Sequence, residues 1–89
     1  MKQVISTGQF RKDIRKYRHQ PLKLQKLYAV VAKLAQGEAL PAHHRPHGLS
    51  GVYKGYMECH VENDLLLIWL DETAEIIKLI RFGSHSELF

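Results

Sequence analysis

Leu65-Leu66-Leu67-Ile68-Trp69-Leu70 is six apolar residues without a polar interruption, in a chain of 89 residues. A run this short, bounded by Asn63-Asp64 before it and Asp71-Glu72-Thr73 after it, is the length of a strand. The absence of alternation means that both of its faces must be covered, which places it at the centre of a sheet. Tyr56 to Val61 on one side and Ile76 to Phe82 on the other read as further strands. The turns between the three are short, so they are antiparallel neighbours. The register of the last is the least defined, because Ile76, Ile77, Leu79 and Ile80 do not alternate cleanly.

Upstream the period changes. Lys2-Gln3-Val4-Ile5-Ser6 suggests a short first strand, ended by Thr7-Gly8, which can cap a helix. Phe10, Ile14 and Tyr17 then form one apolar stripe on a basic helix ending near Arg18 or His19. Pro21 suits the first turn of a second helix whose Leu24, Leu27, Val31 and Leu34 recur until Gly37 stops it. Residues 36–55, with their glycines, prolines, His43, His44 and His47, read as a long connection; such loops are uncommon unless functional. The order is β-α-α-β-β-β: an α+β domain with a helical hairpin on one face of a mainly antiparallel twisted sheet. The hairpin covers one face of the central strand, and a partner is the expected cover for the other.

Apolar content of 45% and this length support a single domain, 1–89, with marginal stability of its own. Lys2, Arg11, Lys12, Arg15, Lys16, Arg18, Lys23 and Lys26 face one acid, Asp13, before residue 27. A basic half of this kind attracts polyanions, because Lys and Arg displace counterions from phosphate backbones, although a charge run can equally be a solvated helix face. Cys59 is the sole cysteine, which excludes an internal disulfide and fits a reducing compartment. No stretch is long and apolar enough to span a bilayer, and the chain reads as cytoplasmic.

Three histidines of the C-terminal half, His47, His60 and His85, lie with Asp64 in short polar contexts beside the strands. Histidine exchanges protons near neutral pH. Cleavage of RNA by its own 2′-hydroxyl needs a base, an acid and cationic groups around the nonbridging oxygens, and Lys54 and Arg81 are the nearest cations. Asp64 can orient His60 from four residues away, or simply cap its turn. His85, after Gly83-Ser84, follows the last strand, where a reactive side chain has rigid support. Terminal Phe89 can pack or stack on a base. His43, His44 and His47 could share a metal on a helix, but Arg45-Pro46 breaks that spacing.

Leu49-Ser50-Gly51-Val52-Tyr53-Lys54-Gly55-Tyr56, then His60-Val61-Glu62-Asn63-Asp64, then Arg81-Phe82-Gly83-Ser84-His85-Ser86-Glu87-Leu88-Phe89, resembles the YafQ branch of the RelE/ParE toxin superfamily. The resemblance runs through the whole chain and is most specific in these C-terminal strings. It implies a RelE-like fold and a bacterial type II toxin that cuts mRNA in the ribosomal decoding site. A cognate antitoxin of the DinJ/RelB kind would neutralise it by wrapping around it, and the basic helices would contact rRNA. It places catalysis on His47, His60, Asp64 and His85, with Phe89 beside them and Lys54 and Arg81 around the phosphate. His85 is expected to act as the acid and His60 or Asp64 on the base side, without a cofactor or metal. Two positions depart from the family pattern: Asn63 stands for a proline before Asp64, and Leu65 for a tryptophan after it. Gyrase-poisoning relatives of similar fold lack this acid/base set, which leaves an interaction toxin, or a plain RNA-binding module, as the competing functions.

Overall fold

The computed structural model describes Met1–Phe89. The elements are β1 (Gln3–Ser6), α1 (Gly8–Arg15), α2 (Pro21–Ala35), β2 (His47–Gly48), β3 (Met57–Glu62), β4 (Leu65–Thr73), β5 (Ile76–Gly83) and α3 (His85–Leu88), with single 3-10 turns at Ala42–His44 and Gly51–Tyr53. The sheet order is β1-β5-β4-β3-β2, with β1 parallel to β5 and every other pair antiparallel. The apolar run is thus the middle strand, and Leu65 through Trp69 are all buried.

Each helix boundary has a local cause. Thr7 Oγ1 accepts from the Phe10 amide at 3.2 Å and caps α1. That helix stops at Arg15, short of the expected Arg18 or His19. Beyond it the amides of Lys16, Tyr17 and Arg18 bond three residues back, a tightening that prepares the turn into Pro21. Gly37, at φ +73°, closes α2: its amide and that of Glu38 bond to the Leu34 and Lys33 carbonyls at 3.1 and 3.0 Å. Only a residue at ease in the left-handed region makes that closure without strain.

Alternation sorts the sheet into two faces. On one, Phe10, Tyr17, Leu27 and Val30 pack on Cys59, Val61, Leu65, Leu67, Trp69, Ile77, Leu79 and Phe82. Burial there pushes the Cys59 thiol up to about 12. On the other, Leu66 and Ile68 are covered by Leu88, Leu49, Tyr53, Tyr56 and Ile80. The second cover is therefore the chain's own 49–56 segment and α3, and not a partner as the sequence suggested. The connection also holds a strand, β2, whose His47 and Gly48 pair with Glu58 and Met57. The broken alternation of β5 has a structural origin as well. Ile68 faces Arg81 while Trp69 faces Leu79, so the register shifts at Ile80.

Candidate active site

The last five residues are tied down from several directions. Ser84 caps α3 by accepting from the Glu87 amide, while Glu87 Oε1 accepts from the Ser84 amide at 2.7 Å, a reciprocal capping box. The same Oε1 accepts from the Tyr17 hydroxyl at 2.6 Å, linking the end of α1 to α3. The Ser84 amide and the Tyr17 hydroxyl hold the Glu87 carboxyl below its ordinary range. Burial first, and Glu87 next, push the Tyr17 phenol far up. Asp64 Oδ1 accepts from the His85 amide at 3.1 Å, and Leu88 anchors the helix against Leu66 and Ile68. Gly83 leaves room for this return: a Cβ there would stand 2.9 Å from Glu87 Oε1.

His85 is thereby fixed at the first position of a helix too short to persist alone. Its ring lies 5.1 Å from that of Phe89, which in turn meets Tyr53 edge-on at 5.7 Å. Phe89 remains half exposed, leaving part of its ring open to a ligand.

The other residues reach the same face along two rows of paired backbone. His60 faces Leu66, and Leu66 faces Gly83, immediately before Ser84-His85. His47 faces Glu58, Glu58 faces Ile68, and Ile68 faces Arg81. At about 4.8 Å per strand, His60 and Gly83 are roughly 10 Å apart at the backbone, and His47 stands farther out on the edge strand. His47, His60 and Arg81 thus share the face of Leu66 and Ile68. It is an open one: His60 borders a cleft with His43, Arg45 and Asn63, and Asp64 borders another with Tyr17, Lys23 and Ser84. No single cavity collects all four.

Individual contacts differ from those expected. The His60 ring does not take Asp64 as its partner; its Nδ1 is 3.3 Å from the Asn63 carbonyl, which makes Nδ1 the protonated nitrogen of the neutral ring and leaves Nε2 a lone pair. Asp64 instead serves the His85 backbone. His47 Nδ1 lies 2.8 Å from the Arg45 carbonyl, and Nε2 lies 3.4 Å from Oε1 of Glu58, a carboxylate 6% exposed. With Nδ1 donating, that second contact is attractive only when a proton lies between ring and carboxylate. Lys54 is exposed on the turn that carries Tyr53. His43 and His44 lie ring to ring at 4.1 Å, but His44 Nδ1 is taken by the His60 carbonyl at 2.6 Å, and left-handed Arg45 turns His47 away toward Glu58. No group of three His, Cys, Asp or Glu side chains is gathered closely enough to hold a metal ion.

Arg81 is not a free cation. Its Nε and Nη2 donate to Asp13 at 2.8 and 3.3 Å, and this carboxylate, with a smaller contribution from Tyr53, raises the guanidinium above its usual range. Asp13 and Glu58 were not singled out from the sequence. Asp13 had a signal: it shares the helix face of Phe10 and Tyr17, where a charge is buried only with a partner. Elsewhere Lys23 and Lys26 converge on Glu62, while Lys12, Arg15, Lys16 and Arg18 are exposed and form no ion pair. The cations left for a polyanion therefore include those at the end of α1 and the turn after it, together with exposed Arg11, Arg45 and Lys54.

A family model described as a bacterial toxin of a type II toxin–antitoxin system, YafQ, matches residues 2–89. The mRNA interferase toxin YafQ of Escherichia coli K12 is 33% identical over 84 residues, 93% of this chain and 90% of that protein. In the crystal structure of the E. coli DinJ-YafQ complex, a chain 31% identical superposes with a TM-score of 0.87 over 100% of this chain and 99% of its own. A metal-bound toxin from Helicobacter pylori, 37% identical, superposes at 0.90 over the full length of both. No helix is long and apolar enough to cross a membrane. With the family's model matched over nearly its entire length and its fold reproduced end to end, the chain belongs to the YafQ family of type II toxin–antitoxin toxins.

Proposed function

We propose that this toxin is an endoribonuclease that cuts mRNA in the decoding site of the ribosome, and that a DinJ/RelB-like antitoxin neutralises it. The observation that carries the reading is the placement of His47, His60, Arg81 and the His85–Leu88 helix on one sheet face, along two rows of paired residues. The E. coli relatives, named as an mRNA interferase and seen with DinJ, support both halves of it. Lys12, Arg15, Lys16 and Arg18 supply a positive surface for rRNA phosphates.

The chemistry assigns each group a task. His60 Nε2 takes the proton of the 2′-hydroxyl as its oxygen attacks the adjacent phosphorus. The bond from phosphorus to the 5′-oxygen breaks, and His85 gives that oxygen a proton, leaving a 2′,3′-cyclic phosphate and a 5′-hydroxyl. Arg81 and Lys54 hold the nonbridging oxygens with His47 beside them, where charge stabilisation is usually the larger contribution. Asp64 acts on this scheme through the backbone of His85, and Phe89 stacks on a flanking base. Side chains supply both proton transfers, so we assign no metal to the reaction. Cutting undiminished by a chelator is the expected result, and loss of cutting restored by added metal would overturn that part.

The test is in vitro translation with the 5′ ends of fragments mapped, comparing wild type with His85→Ala. Wild type should cut at a fixed position in the decoding site and the variant should not. Intact transcripts with poisoned gyrase would favour the interaction toxin, and ribosome binding without fragments a plain RNA-binding module.

A further inference from the structure

Asp13 is 1% exposed, and both of its oxygens are fully used. Oδ2 accepts from Arg81 Nε at 2.8 Å and from the Phe82 amide at 2.9 Å; Oδ1 accepts from Arg81 Nη2 at 3.3 Å and from Gln9 Nε2 at 3.2 Å. A carboxylate held by four donors cannot rotate, so the guanidinium it grips is fixed by two bonds in one plane. β1 has ended at Ser6, opposite Leu79, so the outer edge of β5 beyond that point is unpaired. Asp13 fills that edge by taking the Phe82 amide. The third guanidinium nitrogen, Nη1, takes no part in the grip of Asp13; Tyr53 is the guanidinium's other neighbour, and Ile68, the residue that Arg81 faces, lies on the side of the sheet covered by Tyr53 and Leu88.

We propose that Asp13 is a positioning residue for the nuclease: it locks Arg81 from the helix side so that Nη1 is held ready for a nonbridging oxygen of the scissile phosphate. The inference rests on the ribonuclease reading above and adds to it the device that orients its principal cation. A lone arginine on a strand edge has several rotamers, and one bound at two points has one; the ordering is complete before RNA arrives. The proton carriers lie on the far side of β4 or in α3, so the device acts on phosphate charge and not on proton transfer.

The experiment compares wild type, Asp13→Asn, Arg81→Lys and the double variant in RNA cutting on programmed ribosomes, with kcat and KM separated. An amide at position 13 has one accepting oxygen, so two of the four donors lose their partner. Asp13→Asn should lower kcat about tenfold or more with KM within about twofold, the pattern of a contact made in the transition state. Arg81→Lys should lose at least as much, and the double variant no more than Arg81→Lys alone. A purely structural Asp13 would reduce the folded fraction while leaving kcat per folded molecule unchanged, and that result, or additive losses in the double variant, overturns the proposal. If Asp13→Asn does not fold, Arg81→Lys decides: cutting at the wild-type rate refutes it. A wild type that leaves transcripts whole refutes the nuclease reading and this inference together, whereas a cutting wild type with undiminished Asp13→Asn refutes this inference alone.

Discussion

The two faces of the sheet bury the same strand and do different work. On the helix side, twelve buried residues interlock through α1, the turn after it, α2 and three strands. On the other side Leu66 and Ile68 lie under a cover made by the 49–56 segment and a four-residue helix, whose Leu88 is the third buried residue. The first arrangement holds the fold, whereas the second leaves polar side chains at its margins, where substrate can reach them. Packing and reactivity compete for the same area, and this chain separates them by face. The separation is incomplete at Asp13 on α1 and Tyr17 in the turn after it, which reach Arg81 and Glu87 of the site.

The sharpest way to break this contrast is to change one residue on each side. His85→Ala should lower cutting by roughly 10²- to 10⁴-fold. Its thermal transition should stay close to wild type, since the side chain makes no hydrogen bond within the fold and the helix keeps its cap. Thermal melts beside cutting rates test the pair. Leu27→Ala, at a fully buried position of the helix face, should cost about 2 to 5 kcal/mol. For a domain this small that is a large share of its stability, so denaturant midpoints should fall steeply, with activity lost only as the fold is lost.

Gly83→Ala probes the boundary between the faces. The added methyl meets Glu87 Oε1 and Leu88 Cδ2, so the variant should lose about 1 to 3 kcal/mol and displace α3. Cutting should fall further than stability alone explains, and equal losses would show that the register of α3 matters less than supposed. The smallest effect concerns acid. The Glu87 carboxyl is lowered by the Ser84 amide and the Tyr17 hydroxyl, and that of Glu62 by Lys23 and Lys26. A group depressed in the folded state stabilises it above the unfolded value, about 4.3 for Glu, and that stabilisation is lost as pH falls through the lower folded value. Stability should therefore decline below about pH 4. Glu87→Gln should flatten the decline for α3 and Glu62→Gln for the helix side, followed by amide exchange at each site.

How much of this the sequence disclosed follows from range. The unbroken apolar run of β4, the apolar segment of β5 and the period-3.6 stripes of α1 and α2 were legible because each carries its pattern within a few residues, although α1 ends earlier than its stripe suggests. Two residues of β2 carry no period, and its existence depends on β3 pairing with it. The turn at Ser84 did carry a local sign, since Glu87 three residues after Ser84 matches a capping box, yet a four-residue helix gives no stripe to support it. The cover of the second face was hidden because Leu49, Tyr53 and Tyr56 come from the far end of a long connection and Leu88 from the chain terminus. Among the site residues, the sequence supplied the histidines and Arg81 as types. It could not supply their partners, because Asp13 and Arg81 are 68 residues apart, and His85 and Asp64 are 21 apart.

The central claim is that His60 and His85 act on opposite oxygens of one phosphodiester. Replacing the 5′-bridging oxygen of the cleaved linkage by sulfur creates a leaving group that departs without a proton. Single-turnover cutting of that linkage on ribosomes should be restored in His85→Ala to near the wild-type rate, and should remain slow in His60→Ala. Equal failure of both variants on the sulfur substrate, or rescue of His60→Ala instead, would contradict the assignment of acid and base on which the account stands.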